Sequence, residues 1–310
     1  MSRSPPSRSL GDLTFPEVSR HLKETSILCL QLGAIEQHGP HLPLNTDVVI
    51  AEQLTRRIVA RWGDDLDLWQ LPTVALGLSR EHDWAPGTMS LTLESFIGLV
   101  GDIAHEIVRS LPARNLLIVN GHGGNRGILE NLIRELRGDC GLNACVIHPF
   151  DLSKAAPDAA SLDVHGGKSE TSVMLALAPD LVRRSEIGRP KPVPDPKARR
   201  DIEALVLDRG TSWPWRTDDP RLADRGVIGD AHAASPEHGE RIVESVVAEA
   251  RPVLERLLEN QRRGAGGAKA FTRSGGRNTP AAPRRRPQAL RARTSTHSGN
   301  RPRPRPPGKS

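Results

Sequence analysis

Asn115-Leu-Leu-Ile-Val-Asn-Gly-His-Gly-Gly-Asn125 sets an aliphatic run directly against a glycine-rich turn carrying one histidine. Asn115–Val119 is short, apolar and bounded by turn residues, which predicts a buried strand, and Ile128–Arg137 follows with helical spacing. The same order recurs outward from this stretch. Ser26-Ile-Leu-Cys-Leu-Gln-Leu32 predicts another buried strand, followed by a helix over Val48–Ala60 with Asn45, Thr46 or Asp47 as its cap. Leu71–Leu76 and Ala144–His148 predict two more strands. Leu91–Ser110, Thr171–Leu177 and Glu237–Leu258 predict helices. Strands alternating with helices of this length indicate βαβ units, hence an α/β fold with a largely parallel sheet.

The charge is unevenly placed. Of 43 Lys and Arg, 14 lie from Arg262 onward, where there is no Asp or Glu, leaving residues 1–261 with 29 basic and 37 acidic side chains, net −8. The chain therefore divides into a Ser/Pro/Arg-rich N-terminus over 1–11, expected to be disordered, an acidic globular domain over 12–261, and a basic Arg/Pro-rich tail over 262–310. The tail holds too few apolar residues to fold alone. Residues 190–225 are Pro-rich and charged, with Trp213-Pro-Trp215 inside, and suggest a surface excursion over a site or a subunit contact. No run nears 18 apolar residues, so no membrane span is expected. Residues 1–10 lack the apolar core of a signal peptide. Cys29, Cys140 and Cys145 form no Cys-x-x-Cys pair, which argues for buried thiols in a reducing, cytoplasmic setting.

The chemistry concentrates at strand ends. Gly33-Ala-Ile-Glu-Gln-His-Gly-Pro-His-Leu-Pro-Leu-Asn-Thr-Asp47 carries Glu36, His38 and Asp47, and His122 follows the Asn115 strand. Two carboxylates and two imidazoles at the carboxyl edge of a sheet suit a divalent metal that activates water. The two loops meet if their strands are neighbours. Each residue also has a plainer reading. Asp47 could only cap a helix, worth about 1 kcal/mol, and either histidine could be an exposed loop residue. A second stretch, Asp163-Val-His-Gly-Gly-Lys-Ser-Glu-Thr-Ser172, offers His165 as a proton carrier and Glu170 as a fifth ligand. Glu170 could instead merely face a helix dipole, worth roughly 0.3–1 kcal/mol. Gly167-Lys-Ser169 lacks the glycine that a phosphate loop needs at position 162, which is Leu. Glu81-His-Asp-Trp-Ala-Pro-Gly-Thr88 follows a strand, with His82 and Trp84 as pocket residues or as part of a surface turn.

These blocks together resemble the creatininase (creatinine amidohydrolase) family, over about residues 12–255. The resemblance rests on Gly33–Asp47, Glu81–Thr88, Asn120–Asn125 and His165–Ser172. It implies a three-layer α/β/α sandwich, a homo-oligomer that is often a hexamer, and two divalent metal ions, Zn, Mn or Fe. Given two such ions, charge supplies the mechanism: they share a water, lower its pKa and give a bridging hydroxide that attacks an amide C–N bond, non-peptide or cyclic. Carried across, Glu36 and His122 hold one metal, His38 the other, and Asp47 bridges. His165 shuttles a proton at an ordinary imidazole pKa. His82, Trp84, Asn120, Gly123 and Gly124 line or back the substrate pocket. Creatinine-cleaving members have a Glu two residues after the Asn-Gly-His histidine; here that position is Gly124, and Glu170 is the proposed compensating carboxylate. Those members also enclose the ring with tryptophans ahead of the His165-like residue, and this chain has none between Ile147 and Asp163. Creatinine itself is thus disfavoured. Relatives include a peptidase of mycofactocin maturation and a formamidopyrimidine deformylase. Two alternatives stand beside the hydrolase: a protein binding polyanions, nucleic acid included, through its tail, unless that tail is a dispensable extension, and a family member that holds metal without turnover.

Overall fold

A computed structural model describes residues 8–155, 162–188, 196–208 and 210–267. In chain order the elements are α1 (Phe15–His21), β1 (Ile27–Leu32), α2 (Thr46–Leu66), β2 (Leu68–Gln70), α3 (Leu93–Ser110), β3 (Asn115–Asn120), α4 (Arg126–Cys140), β4 (Asn143–Ile147), α5 (Pro149–Leu152), α6 (Lys168–Leu177), α7 (Pro196–Ile202) and α8 (Pro236–Gly267). The four strands are parallel in the order β2-β1-β3-β4. The strand expected at Leu71–Leu76 is not one. The edge strand is Leu68–Gln70, and residues beyond it keep only scattered bonds to β1, such as Leu71 N to Cys29 O and Val74 N to Gln31 O. Pro72 has no N–H to give the ladder, which ends the strand there.

β1 and β3 are buried along their whole length, as strands covered on both faces must be. Leu28, Leu30 and Leu32 join Leu116 and Ile118 against Phe96, Val100 and Ile107 of α3 and Leu129, Leu132 and Leu136 of α4. On the other face Ile27, Cys29, Leu117, Val119 and Ile147 pack on α2, α6 and α8. The result is the three-layer α/β/α sandwich. Burial of each such Leu or Ile contributes roughly 1.5–3 kcal/mol. Cys29, Cys140 and Cys145 are free thiols.

Part of the expected disordered N-terminus is built into the fold. Ser9 pairs with Gln70, Leu10–Asp12 form a 3-10 turn, and Arg8 reaches Asp67 at 2.9 Å while lying over the Trp69 ring. Residues 1–7 lie outside the described residues. So does the tail from 268 onward; α8 itself extends past the expected boundary at 261. No described helix is long and apolar enough to cross a membrane.

The topology places the site. From β1 the chain goes out to β2, then returns past β1 to β3 on its other side. The order reverses between β1 and β3, and Leu32 is level with Asn120 at their carboxyl ends. A reversal of this kind opens a crevice for ligands. The first turn of α2 closes its floor. A Cβ on Gly121 would lie 2.3 Å from the Asp47 carbonyl oxygen, so only glycine lets the end of β3 touch that turn.

Candidate metal centre

Glu36, His38, Asp47, His122, His165 and Glu170 converge in this crevice. Their ligand atoms form three overlapping groups, each within 4.8 Å: Glu36, Asp47 and His122; His38, Asp47 and Glu170; Glu36, His38 and His165. Asp47 is not the cap of α2; that position is Asn45, and the Asp47 side chain turns into the crevice. Glu170 stands in the first turn of α6, which is anchored by Asp163: its carboxylate accepts the N–H groups of Lys168 and Ser169. Glu170 Oε2 accepts the Gly166 N–H at 2.5 Å and lies 4.0 Å from His38 Nε2.

The backbone fixes which nitrogen each imidazole presents. His38 Nδ1 donates to the Glu36 carbonyl at 3.1 Å, leaving the Nε2 lone pair 3.0 Å from Asp47 Oδ1. His122 Nε2 donates to the Leu78 carbonyl at 2.6 Å, leaving Nδ1 3.0 Å from Asp47 Oδ2 and 3.3 Å from Glu36 Oε2. A lone pair facing a carboxylate at such distances requires a cation between them, a proton or a metal. Both Glu36 carboxylate oxygens and Asp47 Oδ2 are buried without a hydrogen-bond partner. Buried acceptors are ordinarily satisfied, so this donor set fits divalent metal.

The electrostatics agree. Burial opposes the His38 cation, but Asp47, Glu170 and Glu36 outweigh it and hold its pKa up at about 10. His122 is buried too, yet Glu36 and Asp47 hold it well above the usual imidazole range. Burial pushes Glu170 up to about 7, against the pull of His38. Ligand nitrogens must shed their protons to take a metal. Loading the metal-free protein with Zn2+ at pH 8 is therefore expected to release about two protons per fully loaded chain, and affinity should rise with pH. Calorimetry in buffers of different ionisation enthalpy measures this; loading without proton release would contradict it.

His165 departs from expectation. Its Nε2 donates to the Gln37 carbonyl at 2.7 Å and its Nδ1 lies 3.7 Å from Glu36 Oε1, but burial and the charges of His38 and His82 push its pKa well below the ordinary value. His82 is buried, with Nε2 3.4 Å from Glu36 Oε1, and its ring stacks on His165. Trp84, 39% exposed, donates its indole N–H to Thr217. Asn120 faces the turn, not the carboxylates: its Nδ2 donates to the His122 carbonyl and its Oδ1 accepts from Asn125. A Cβ on Gly123 would meet open space. One on Gly124 would lie 2.2 Å from the Leu78 oxygen, 2.5 Å from His122 Nε2 and 2.8 Å from Glu81 Oε1. Position 124 thus has no room for a side chain. Gln37, Glu81 and Thr217 border the site without having been picked out from sequence. Gln37 and Glu81 stand inside the quoted blocks, whereas nothing local marks Thr217.

A family model for creatinine amidohydrolase matches residues 11–254. The chain belongs to the creatininase family. It is thereby a metal-dependent amidohydrolase, a hydrolase of C–N bonds. It is 34% identical over 259 residues to the mycofactocin precursor peptide peptidase of Mycobacterium tuberculosis, covering 79% of this chain and 90% of the relative. It is 32% identical over 259 residues to creatinine amidohydrolase of Pseudomonas putida, covering 77% and 92%. Two solved creatininase structures, a Zn–Zn form of a mutant and a Mn form, superpose with TM-scores of 0.64 and 0.63 at 29% and 28% identity. They cover 83% and 82% of this chain, and each is itself covered to 99%. The creatininase fold thus accounts for the described sheet and both helical layers.

Proposed function

We propose that this enzyme hydrolyses an amide C–N bond of a small molecule other than creatinine, using two divalent ions (Zn, Mn or Fe). The three orphaned carboxylate oxygens of Glu36 and Asp47 carry this conclusion. Glu36 and His122 would hold one ion, His38 and Glu170 the other, with Asp47 offering one oxygen to each side. When bound, the ions supply a water of lowered pKa and a Lewis acid for the carbonyl. The chain's own residues do the rest. Asp47, buried between two imidazoles, fixes both of them. His165 keeps Nδ1 free of its backbone partner and turned toward Glu36, so this nitrogen can carry a proton to the departing amine. Its depressed pKa leaves the ring neutral at neutral pH, so it would first accept the proton released by the attacking water and then pass that proton to the amine. Gly124 argues against creatinine, since the carboxylate that creatinine-cleaving members carry there cannot be housed.

The protein stripped with chelator and reloaded with Zn2+ or Mn2+ is expected to take up metal and to cleave an amide from a panel of cyclic amides, formamides and peptides. Creatinine should be the poor substrate. Activity that survives chelation, or no metal uptake, would overturn the proposal. The peptidase and deformylase readings are read out by the same panel. A cytoplasmic homo-oligomer, a hexamer by family resemblance, completes the proposal. Polyanion binding belongs to the tail, and truncation after Gly267 should remove it while leaving hydrolysis intact.

A further inference from the structure

Thr217 lies in the Trp-Pro-Trp-Arg-Thr stretch, far in sequence from every candidate ligand. We propose that its hydroxyl is a positioning group for the metal centre, acting through His82 on Glu36; this rests on the metal-dependent reading above. Thr217 is 1% exposed. Its Oγ1 is 2.8 Å from His82 Nδ1, 3.0 Å from Trp84 Nε1, 3.1 Å from Gln37 Nε2 and 3.2 Å from the Glu81 carbonyl. Its own N–H donates to that carbonyl at 3.1 Å. One hydroxyl thus ties the covering segment to both loops that form the crevice.

The proton positions follow from the partners. The Gln37 amide can be oriented only one way: Oε1 accepts the Gly39 N–H at 2.8 Å, and Nε2 donates to the Gly226 carbonyl at 3.0 Å. Gln37 Nε2 can only donate, and it lies 2.9 Å from His82 Nδ1. His82 Nδ1 is therefore an acceptor, and its ring proton sits on Nε2, facing Glu36 Oε1 at 3.4 Å. Trp84 can only donate to Thr217 Oγ1, and the single threonine proton has two acceptors in reach, the Glu81 carbonyl at 3.2 Å and His82 Nδ1 at 2.8 Å; we place it on the nearer, because a bare His82 Nδ1 would otherwise meet Oγ1 lone pair to lone pair. Among the described residues, Gln37 and Thr217 make the hydrogen bonds to that nitrogen. The N–H they impose on the far side of the ring lies 3.4 Å from Glu36 Oε1, a buried oxygen without a hydrogen-bond partner, and a small rotation of that carboxylate would let it accept. An outer partner of this kind orients a metal-binding carboxylate, and its loss typically weakens metal binding about 10–100-fold. The segment covering the crevice is in this way wired to the affinity of the crevice for metal.

The test uses the full-length protein, titrated with Zn2+ alone against a chromophoric chelator. Thr217→Val, which keeps the shape and removes the hydroxyl, is expected to bind Zn2+ about 10-fold more weakly, and Thr217→Ser to stay within about twofold of the parent. Nitrogen-15 NMR of the metal-free parent should show His82 protonated on Nε2 and bare on Nδ1. Wild-type affinity in Thr217→Val overturns the inference. So does a Thr217→Ser that falls as far as the valine, which would mark the γ-methyl packing and not the hydroxyl. Should the valine variant not fold, the His82 tautomer in the parent decides, and a proton on Nδ1 is fatal. A parent that binds no Zn2+ sinks the metal-dependent function itself, whereas a parent that binds it equally with and without the hydroxyl sinks only this inference.

Discussion

Asp47→Asn should lose metal affinity by more than the roughly 100-fold that marks the upper end of outer-partner losses, and hydrolysis should disappear with it. Asp47 is shared: one oxygen faces His38 and the other His122, so an amide that replaces one oxygen by an N–H cannot serve both. The variant also bears on stability without metal. His38 has its folded pKa raised to about 10, so its contribution is complete below the unfolded value near 6.5 and drains away as pH rises through about 10. Asp47 has its pKa lowered: burial opposes that, but His38 and His122 prevail, so its contribution holds above about 4 and is lost on acidification. Asp47→Asn removes both. Metal-free variant is expected to be roughly 3–5 kcal/mol less stable at pH 6, the cost of breaking a buried pair, with a flatter profile between pH 6.5 and 10 than the parent. Chemical denaturation across that range reads both effects. Near-parental Zn2+ binding in the variant would show that Asp47 is not shared.

Gly124→Glu should fail to create a creatinine hydrolase. The Cβ alone would collide with the Leu78 carbonyl, which is the acceptor that turns His122 Nδ1 toward Glu36 and Asp47. Making room means moving that carbonyl, and overpacking against backbone costs about 1–3 kcal/mol. Gly124→Ala carries the same collision with less bulk. Both are expected to weaken Zn2+ binding by about 10–100-fold through the lost histidine partner, with no gain on creatinine. Creatinine turnover in Gly124→Glu above the parent would show that the 78–81 loop can yield, and with it the argument against creatinine would fall.

What could be read from sequence tracks how local the signal is. β1 and β3 were legible because fully buried parallel strands are continuous aliphatic runs, and the glycines after them mark where side chains of the crevice begin. The candidate ligands of the crevice could be singled out because Glu36, His38 and Asp47 share one short block. Their meeting with His122 required β1 and β3 to be neighbours, which no local pattern states. The edge strand was misplaced because three residues, Leu68–Gln70, give no alternation to detect, and Leu71–Leu76 is as apolar as a strand. The N-terminal residues from Arg8 escaped notice because their partners, Asp67 and Gln70, are distant in sequence. The imidazole of His165 could be named, but its depressed pKa depends on its burial and on the His38 and His82 rings beside it. Thr217 is the extreme case, an ordinary threonine in a Pro-rich stretch whose role exists only through tertiary contact.

The pairing of β1 with β3 has one more outcome, for how the enzyme is made. The Glu36 block and His122 come together only when these two strands lie side by side, so no short peptide from this chain carries the whole set of crevice side chains. A ribosome-bound fragment that stops before Asn115 has nothing to complete the cage. Under the metal-dependent reading proposed above, the full donor set is therefore assembled only on a sheet already formed.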